Sequence, residues 1–130
     1  MALNPTLTLE LADGHLTIHR LPADRPLPAK VSELSWVSIS RTPDELSIVA
    51  PADFDLPSER RETGWRRLTV RGPLDFDDTG ILAGLSGPLA AAGVSIFVIS
   101  TFDTDHLLVR DSQVALARRT LEEAGYLWRT

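Results

Sequence analysis

Between Leu74 and Val109 the chain reads LDFDDTGILAGLSGPLAAAGVSIFVISTFDTDHLLV, and this stretch admits few folds. Asp77 and Asp78 precede Thr79, after which Ile81, Leu82, Leu85 and Leu89 recur at helical spacing. Side-chain oxygens at such a point accept from the free amides of a first turn, so a helix starts here. The same amides attract an anion such as a ligand carboxylate, although a cap alone also accounts for Asp77 and Asp78. Gly84 and Gly87 weaken the helix and Pro88 should kink it, which suggests close backbone approach to a sheet or a partner. Gly93 ends the helix in the manner of a left-handed cap. Val94 to Ile99 is then a short, β-branched, buried strand. Ser100-Thr101-Phe102-Asp103-Thr104-Asp105 is a polar turn, and His106 to Val109 returns as an antiparallel neighbour.

The rest of the chain closes this unit or resembles a worn copy of it. Leu7 to Leu11 and His15 to Leu21 alternate on either side of Asp13-Gly14, the pattern of a hairpin. In that hairpin His15 and His19 face solvent. A two-histidine metal site lacks any acid or thiol beside it. Three prolines between Pro22 and Pro28 argue against a helix there, and Lys30 to Leu34 suits one helical turn. Trp36 to Ser40 and Glu45 to Ala50 form another hairpin. Laid on the later hairpin at an offset of sixty residues, Ile39 meets Ile99, Glu45 meets Asp105 and Val49 meets Val109. The similarity suggests duplication of a unit about sixty residues long, against the alternative of chance between two short hairpins. Pro51 to Gly64 has no apolar period and reads as connecting chain. Trp65 to Arg71 alternates as a strand. Asp111-Ser112 opens a helix with Val114, Ala117, Leu121 and Ala124 on its buried stripe, and Tyr126 to Trp128 is a last strand.

Bulk properties restrict function. The 130 residues suffice for one ordinary domain or two very small ones. A formal net charge of −5 argues against a broad nucleic-acid surface, and the arginines at 60, 61, 66, 67 and 71 are interspersed with acids. The absence of cysteine excludes disulfides and thiolate metal sites. No apolar run approaches the ~20 residues that span a bilayer, and the start of the chain lacks a secretory pattern, so a soluble cytoplasmic protein is expected. No Ser-His-Asp set, phosphate loop or dinucleotide signature is present, and Asp105 and His106 point to opposite faces of a strand. The expectation is therefore a non-enzyme without metal or cofactor.

From Trp65 onward the order is strand, helix, strand, strand, helix, strand, which describes an α+β, ferredoxin-like βαββαβ sandwich. The segments Phe76-Asp77-Asp78-Thr79-Gly80-Ile81-Leu82, Gly87-Pro88-Leu89-Ala90 and Ser95 to Val109 resemble the ACT domain. Within that family the likeness is to the tandem-ACT branch that includes the cytosolic arginine sensors. Phe54-Asp55-Leu56-Pro57 follows the earlier hairpin as it does in that branch. The resemblance implies a degenerate ACT-like unit over 1–57 packed beside an ACT domain over 65–130, with a linker at 58–64. It further implies a regulatory module that binds an amino acid between ACT units.

Carried over position by position, Asp78 and Asp105 fall on acidic ligand-contacting positions. Gly80 and Ile81 fall on the backbone lining, and Thr101 and Phe102 on the turn that lines the pocket. Asp77, Thr79 and Ser100 complete the candidate ligand-binding set. Two carboxylates beside one pocket suit a neutral or basic amino acid and repel an acidic one. An exposed sheet edge and a site between units imply a homodimer, and the lack of a fused effector implies a separate regulated protein. A ligand-free module that retains the fold for protein interaction is the alternative.

Overall fold

The computed structural model describes residues 7–71 and 79–130. Its contacts divide the chain into two compact units, one of residues 1–13 with 66–130 and the other of residues 14–65. The strands are β1 (Thr8–Leu11), β2 (Leu16–Leu21), β3 (Ser38–Arg41), β4 (Leu46–Pro51), β5 (Arg60–Val70), β6 (Ile96–Ser100), β7 (Asp105–Arg110) and β8 (Leu127–Arg129). The helices are α1 (Ile81–Ala91) and α2 (Val114–Glu123). Short 3-10 turns occupy Val31–Glu33 and Asp111–Gln113.

The larger unit is the ferredoxin-like α+β sandwich, with one addition. Its strand order is β8-β1-β5-β7-β6. β1 lies antiparallel to β5, with Leu9 opposite Val70 and Leu11 opposite Leu68. It lies parallel to β8, with Leu9 opposite Trp128. The expected hairpin across Asp13-Gly14 does not form. The apolar alternation at Leu7, Leu9 and Leu11 is used instead by the core of the later unit, where Leu9 is 1% exposed.

Side chains alternate across a strand, so the register sorts the two faces of this sheet. Leu9, Leu68, Val70, Leu107 and Val109 pack with Leu85 and Leu89 of α1 and Ala117 and Leu121 of α2 in one apolar cluster. Glu10, Arg67, Thr69 and His106 therefore belong to the other face. Each helix ends on a glycine in the left-handed region, Gly93 at φ 79° and Gly125 at φ 102°. The amide following each reaches back to a leucine carbonyl, Val94 to Leu89 at 2.9 Å and Tyr126 to Leu121 at 3.0 Å. These bonds satisfy carbonyls the helix leaves over. Pro88 lies inside α1. Gly87 does not mark a close approach: a Cβ built there meets nothing within 4 Å.

The smaller unit holds strands in the order β3-β4-β2-β5, the last supplied by the first part of β5. It contains no α-helix among the described residues. Leu21, Leu46, Ile48, Ala50 and Leu56 form its core. The segment expected as a linker at 58–64 contains the first residues of β5, where Arg60, Arg61 and Glu62 pair with Arg20, His19 and Ile18. Cross-strand pairing, which needs no apolar period, holds this charged run in a sheet. Gly64, at φ 80°, lies beside the register shift between Leu16 and Ile18, as a bulge requires. His19 is not solvent-facing as expected but 2% exposed.

The two hairpins correspond at an offset of fifty-nine rather than sixty. Thr42 donates its amide to the Glu45 carbonyl as Thr101 does to Thr104. Ile39 opposite Ile48 then matches Val98 opposite Leu107. An offset of sixty would exchange the faces, because a one-residue slip sends every side chain to the other side.

Candidate functional site

The candidate residues of the larger unit lie in two places, the entry to α1 and the β6–β7 turn. Asp77 and Asp78 lie outside the described residues. Thr79 and Gly80 are exposed, and Ile81 is half-buried against the apolar cluster. The residue preceding α1 is Gly80, at φ 79°, and it makes no side-chain cap. Glycine reaches this conformation without strain, so the chain turns into the helix by backbone alone. Its carbonyl accepts from Gly84 at 2.8 Å.

The turn is tightly built. Thr101 donates its amide to the Thr104 carbonyl at 2.8 Å and its hydroxyl to the same oxygen at 3.0 Å. This leaves Phe102 and Asp103 at the tip, with Phe102 78% exposed. Ser100 and Asp105 are directly opposed across the hairpin, and the Ser100 hydroxyl donates to one Asp105 carboxylate oxygen at 2.6 Å. By alternation both share the helix-bearing face with Val98 and Leu107, at the end of the sheet. Thr104 donates its hydroxyl to the Val70 carbonyl at 2.6 Å. The turn is therefore joined to the last residue of β5, the strand that leads to α1.

On the other face a polar chain crosses from β5 to β7. Arg67 donates to the Thr69 hydroxyl oxygen at 2.8 Å, and that oxygen lies 2.8 Å from Nδ1 of His106. His106 is 8% exposed. Burial, and then the Arg67 guanidinium, hold its imidazole below the ordinary histidine range, while Asp105 pulls it upward. Sequence reading missed this group and the Thr104 anchor. The available signal was Thr69, a hydroxyl residue between Leu68 and Val70 in an alternating strand.

Similar chemistry occurs in the smaller unit, where Nδ1 of His19 lies 2.7 Å from the Ser58 hydroxyl oxygen. Burial and then Arg61 lower its pKa. Its Nε2 is buried without a hydrogen-bond partner. No group of three or more metal-ligating residues occurs among the described residues. No helix among them is long and apolar enough to cross a membrane.

A family model described as the ACT domain matches residues 60–123, and one described as an N-terminal domain matches residues 14–59. The chain belongs to the ACT domain family. This ACT protein is 34% identical to the human cytosolic arginine sensor for mTORC1 subunit 1 over 130 residues, 93% of the chain and 38% of that relative. With the orangutan (Pongo abelii) protein of the same name the identity is 33%, over 91% of the chain and 39% of the relative. The ACT chain thus spans about two fifths of the length of these curated relatives. An Agrobacterium tumefaciens protein known from an X-ray structure is 40% identical, with a TM-score of 0.87 over 96% of this chain and 93% of its own. The ligand-free regulatory subunit of aspartate kinase from Thermus thermophilus shares the ACT fold, with a TM-score of 0.61 at 11% identity over 89% and 96% of the two chains.

Proposed function

We propose that this ACT protein is a non-catalytic regulatory module of the cytoplasm that binds a neutral or basic amino acid. The ligand is held by the segment entering α1, residues Asp77, Asp78, Thr79, Gly80 and Ile81, and by Ser100, Thr101, Phe102 and Asp105 of the β6–β7 turn. The observation that carries this reading is the bond from the Thr104 hydroxyl to the Val70 carbonyl. It puts the turn at the end of β5 from which the chain departs toward α1. Helix and strand lengths agree with this. α1 is about 16 Å long, β6 is about as long, and the short link 92–95 joins the end of one to the start of the other. A helix returning along β6 therefore begins near the turn.

The chemistry suits an α-amino acid. Free amides at the start of α1 attract a carboxylate. Asp105 keeps one carboxylate oxygen beyond its bond to Ser100, and a carboxylate is the natural acceptor for an ammonium. The arginine-sensor relatives, by their name, respond to an amino acid of the basic class. A site between ACT units can be completed by a second copy of the chain. Among the described residues β6 pairs only with β7, so its far edge is open to strand pairing in a two-fold homodimer.

Calorimetric titration with the twenty amino acids tests the reading, and binding of one or more neutral or basic ones at submillimolar concentration is expected. The double variant D78A/D105A separates the reading from that of a ligand-free interaction module. Ligand-induced stabilisation vanishes in the first case, and there is none to lose in the second. Light scattering at tens of micromolar tests the dimer, which a monomer mass would exclude.

A further inference from the structure

The polar chain Arg67–Thr69–His106 has a direction that satisfying every hydrogen favours. An arginine only donates, and a threonine hydroxyl has a single hydrogen. Oγ1 of Thr69 can accept twice, but its hydrogen then needs another acceptor. With Arg67 donating to Oγ1 at 2.8 Å, Nδ1 of His106, also 2.8 Å away, is the acceptor that Thr69 reaches among the described residues. His106 is then an acceptor at Nδ1, and its own proton resides on Nε2.

We propose that His106 is a proton-sensitive latch, whose neutral, Nε2–H form closes the β5–β7 contact and whose protonation releases the β6–β7 turn. A proton on Nδ1 would face an oxygen that already accepts from Arg67. Two cationic groups would converge on one half-buried hydroxyl, and the imidazole would be driven from β5. His106 is two residues from Thr104, whose hydroxyl holds the turn to Val70, the residue after Thr69. Displacement of the ring therefore strains a side-chain bond by which β5 grips the turn. Few charges oppose this. On β5 the facing group is Arg67; on β7 Asp105 points to the opposite face, and as the adjacent residue it favours the proton but ranks below burial and Arg67. On β1, Glu10 lies opposite Thr69, with its carboxylate 3.4 Å from the Arg71 guanidinium. β6 brings Ile99 opposite His106 and no charged residue.

The effect on ligand affinity rests on the function proposed above, whereas the latch itself does not, and the test is made without ligand. Imidazole nitrogen shifts of the ¹⁵N-labelled chain, followed by NMR from about pH 7 to about pH 5, report tautomer and titration at once. Expected are an Nε2–H tautomer at neutral pH and a midpoint below 6.5. Amide exchange at Thr101 and Thr104, corrected for intrinsic rate, should quicken about tenfold for each unit by which the midpoint is lowered. An Nδ1–H tautomer at neutral pH overturns the proposal, as does titration that leaves both amides unmoved. Thr69→Val should make exchange at the turn fast at both pH values, while Thr69→Ser should restore the wild-type response. The titration of the unaltered chain decides the matter even where T69V does not fold. Failure of every amino acid to bind would leave the latch standing.

Discussion

The side-chain hydroxyl of Thr104 donates to the main-chain carbonyl of Val70 across 2.6 Å, and this contact fixes the β6–β7 turn to the end of β5. Thr104 is bound at its amide as well, by Oγ1 of Thr101 at 3.4 Å. Thr104→Val keeps the side-chain shape and removes the hydroxyl. Stability should fall by about 1 kcal/mol, the usual worth of one such bond. Urea unfolding checks the loss. Under the proposed function the same variant should also weaken amino-acid binding, and Thr104→Ser should recover both properties.

Insertion of β1 between β5 and β8 makes the larger unit depend on a short strand distant from it in sequence. Leu9 is 1% exposed and packs in the cluster that joins the sheet to both helices. Leu9→Ala should cost about 2–5 kcal/mol, as expected for a leucine truncated in a core. Leu127 on neighbouring β8 is 55% exposed. Leu127→Ala should change stability by no more than about 0.5 kcal/mol. Chemical denaturation of the two variants side by side measures the contrast.

Two glycines near the end of α1 should respond differently to alanine. Gly87 lies inside the helix, where an added Cβ meets nothing within 4 Å. Gly87→Ala gains helix propensity but adds a Cβ just before the Pro88 ring, which disfavours the helical region for such a residue, so stability should change by no more than about 0.5 kcal/mol. Gly93 also has open space around it, but its φ of 79° is left-handed. Gly93→Ala should lower stability by about 1 kcal/mol, since L residues are strained there. Thermal melts of both variants provide the check.

Much of this architecture was legible because periodicity is local. The stripe Val114, Ala117, Leu121 and Ala124, the apolar run at Ile96–Ile99 and the glycines at 93 and 125 each declare an element from adjacent residues. Pairing is not local. Leu7 to Leu11 carries the same alternation whether it meets β2 or β5, and an Asp-Gly turn signal cannot distinguish a hairpin from a crossing between units. The smaller unit misled in another way. Its β2 places Thr17, His19 and Leu21 on the core side, so a histidine occupies a position that alternation gives to an apolar residue. At the candidate site, the residue types at the turn were readable from sequence. The anchor to Val70 was not, because a main-chain carbonyl has no sequence signature.

Acid should destabilise this protein before its carboxylates titrate, through His19 and His106. The imidazoles of both are lowered by burial, with Arg61 adding to the effect at His19 and Arg67 at His106. A histidine whose folded pKa lies below its unfolded value of 6.5 binds its proton more readily in the unfolded chain. Its contribution is therefore complete above the unfolded value and is lost progressively as pH falls from there through the folded one. Unfolding free energy should then decrease between about pH 7 and about pH 5, the window in which histidine alone among ordinary side chains changes charge. His19→Leu should flatten this decline without abolishing it, because His106 remains. His19→Leu combined with His106→Leu should remove it. Each substitution also frees a hydroxyl, Ser58 in one case and Thr69 in the other, so the slope against pH, and not the absolute stability, is the quantity to compare. A slope equal in wild type and double variant would show that neither imidazole is held neutral by the fold.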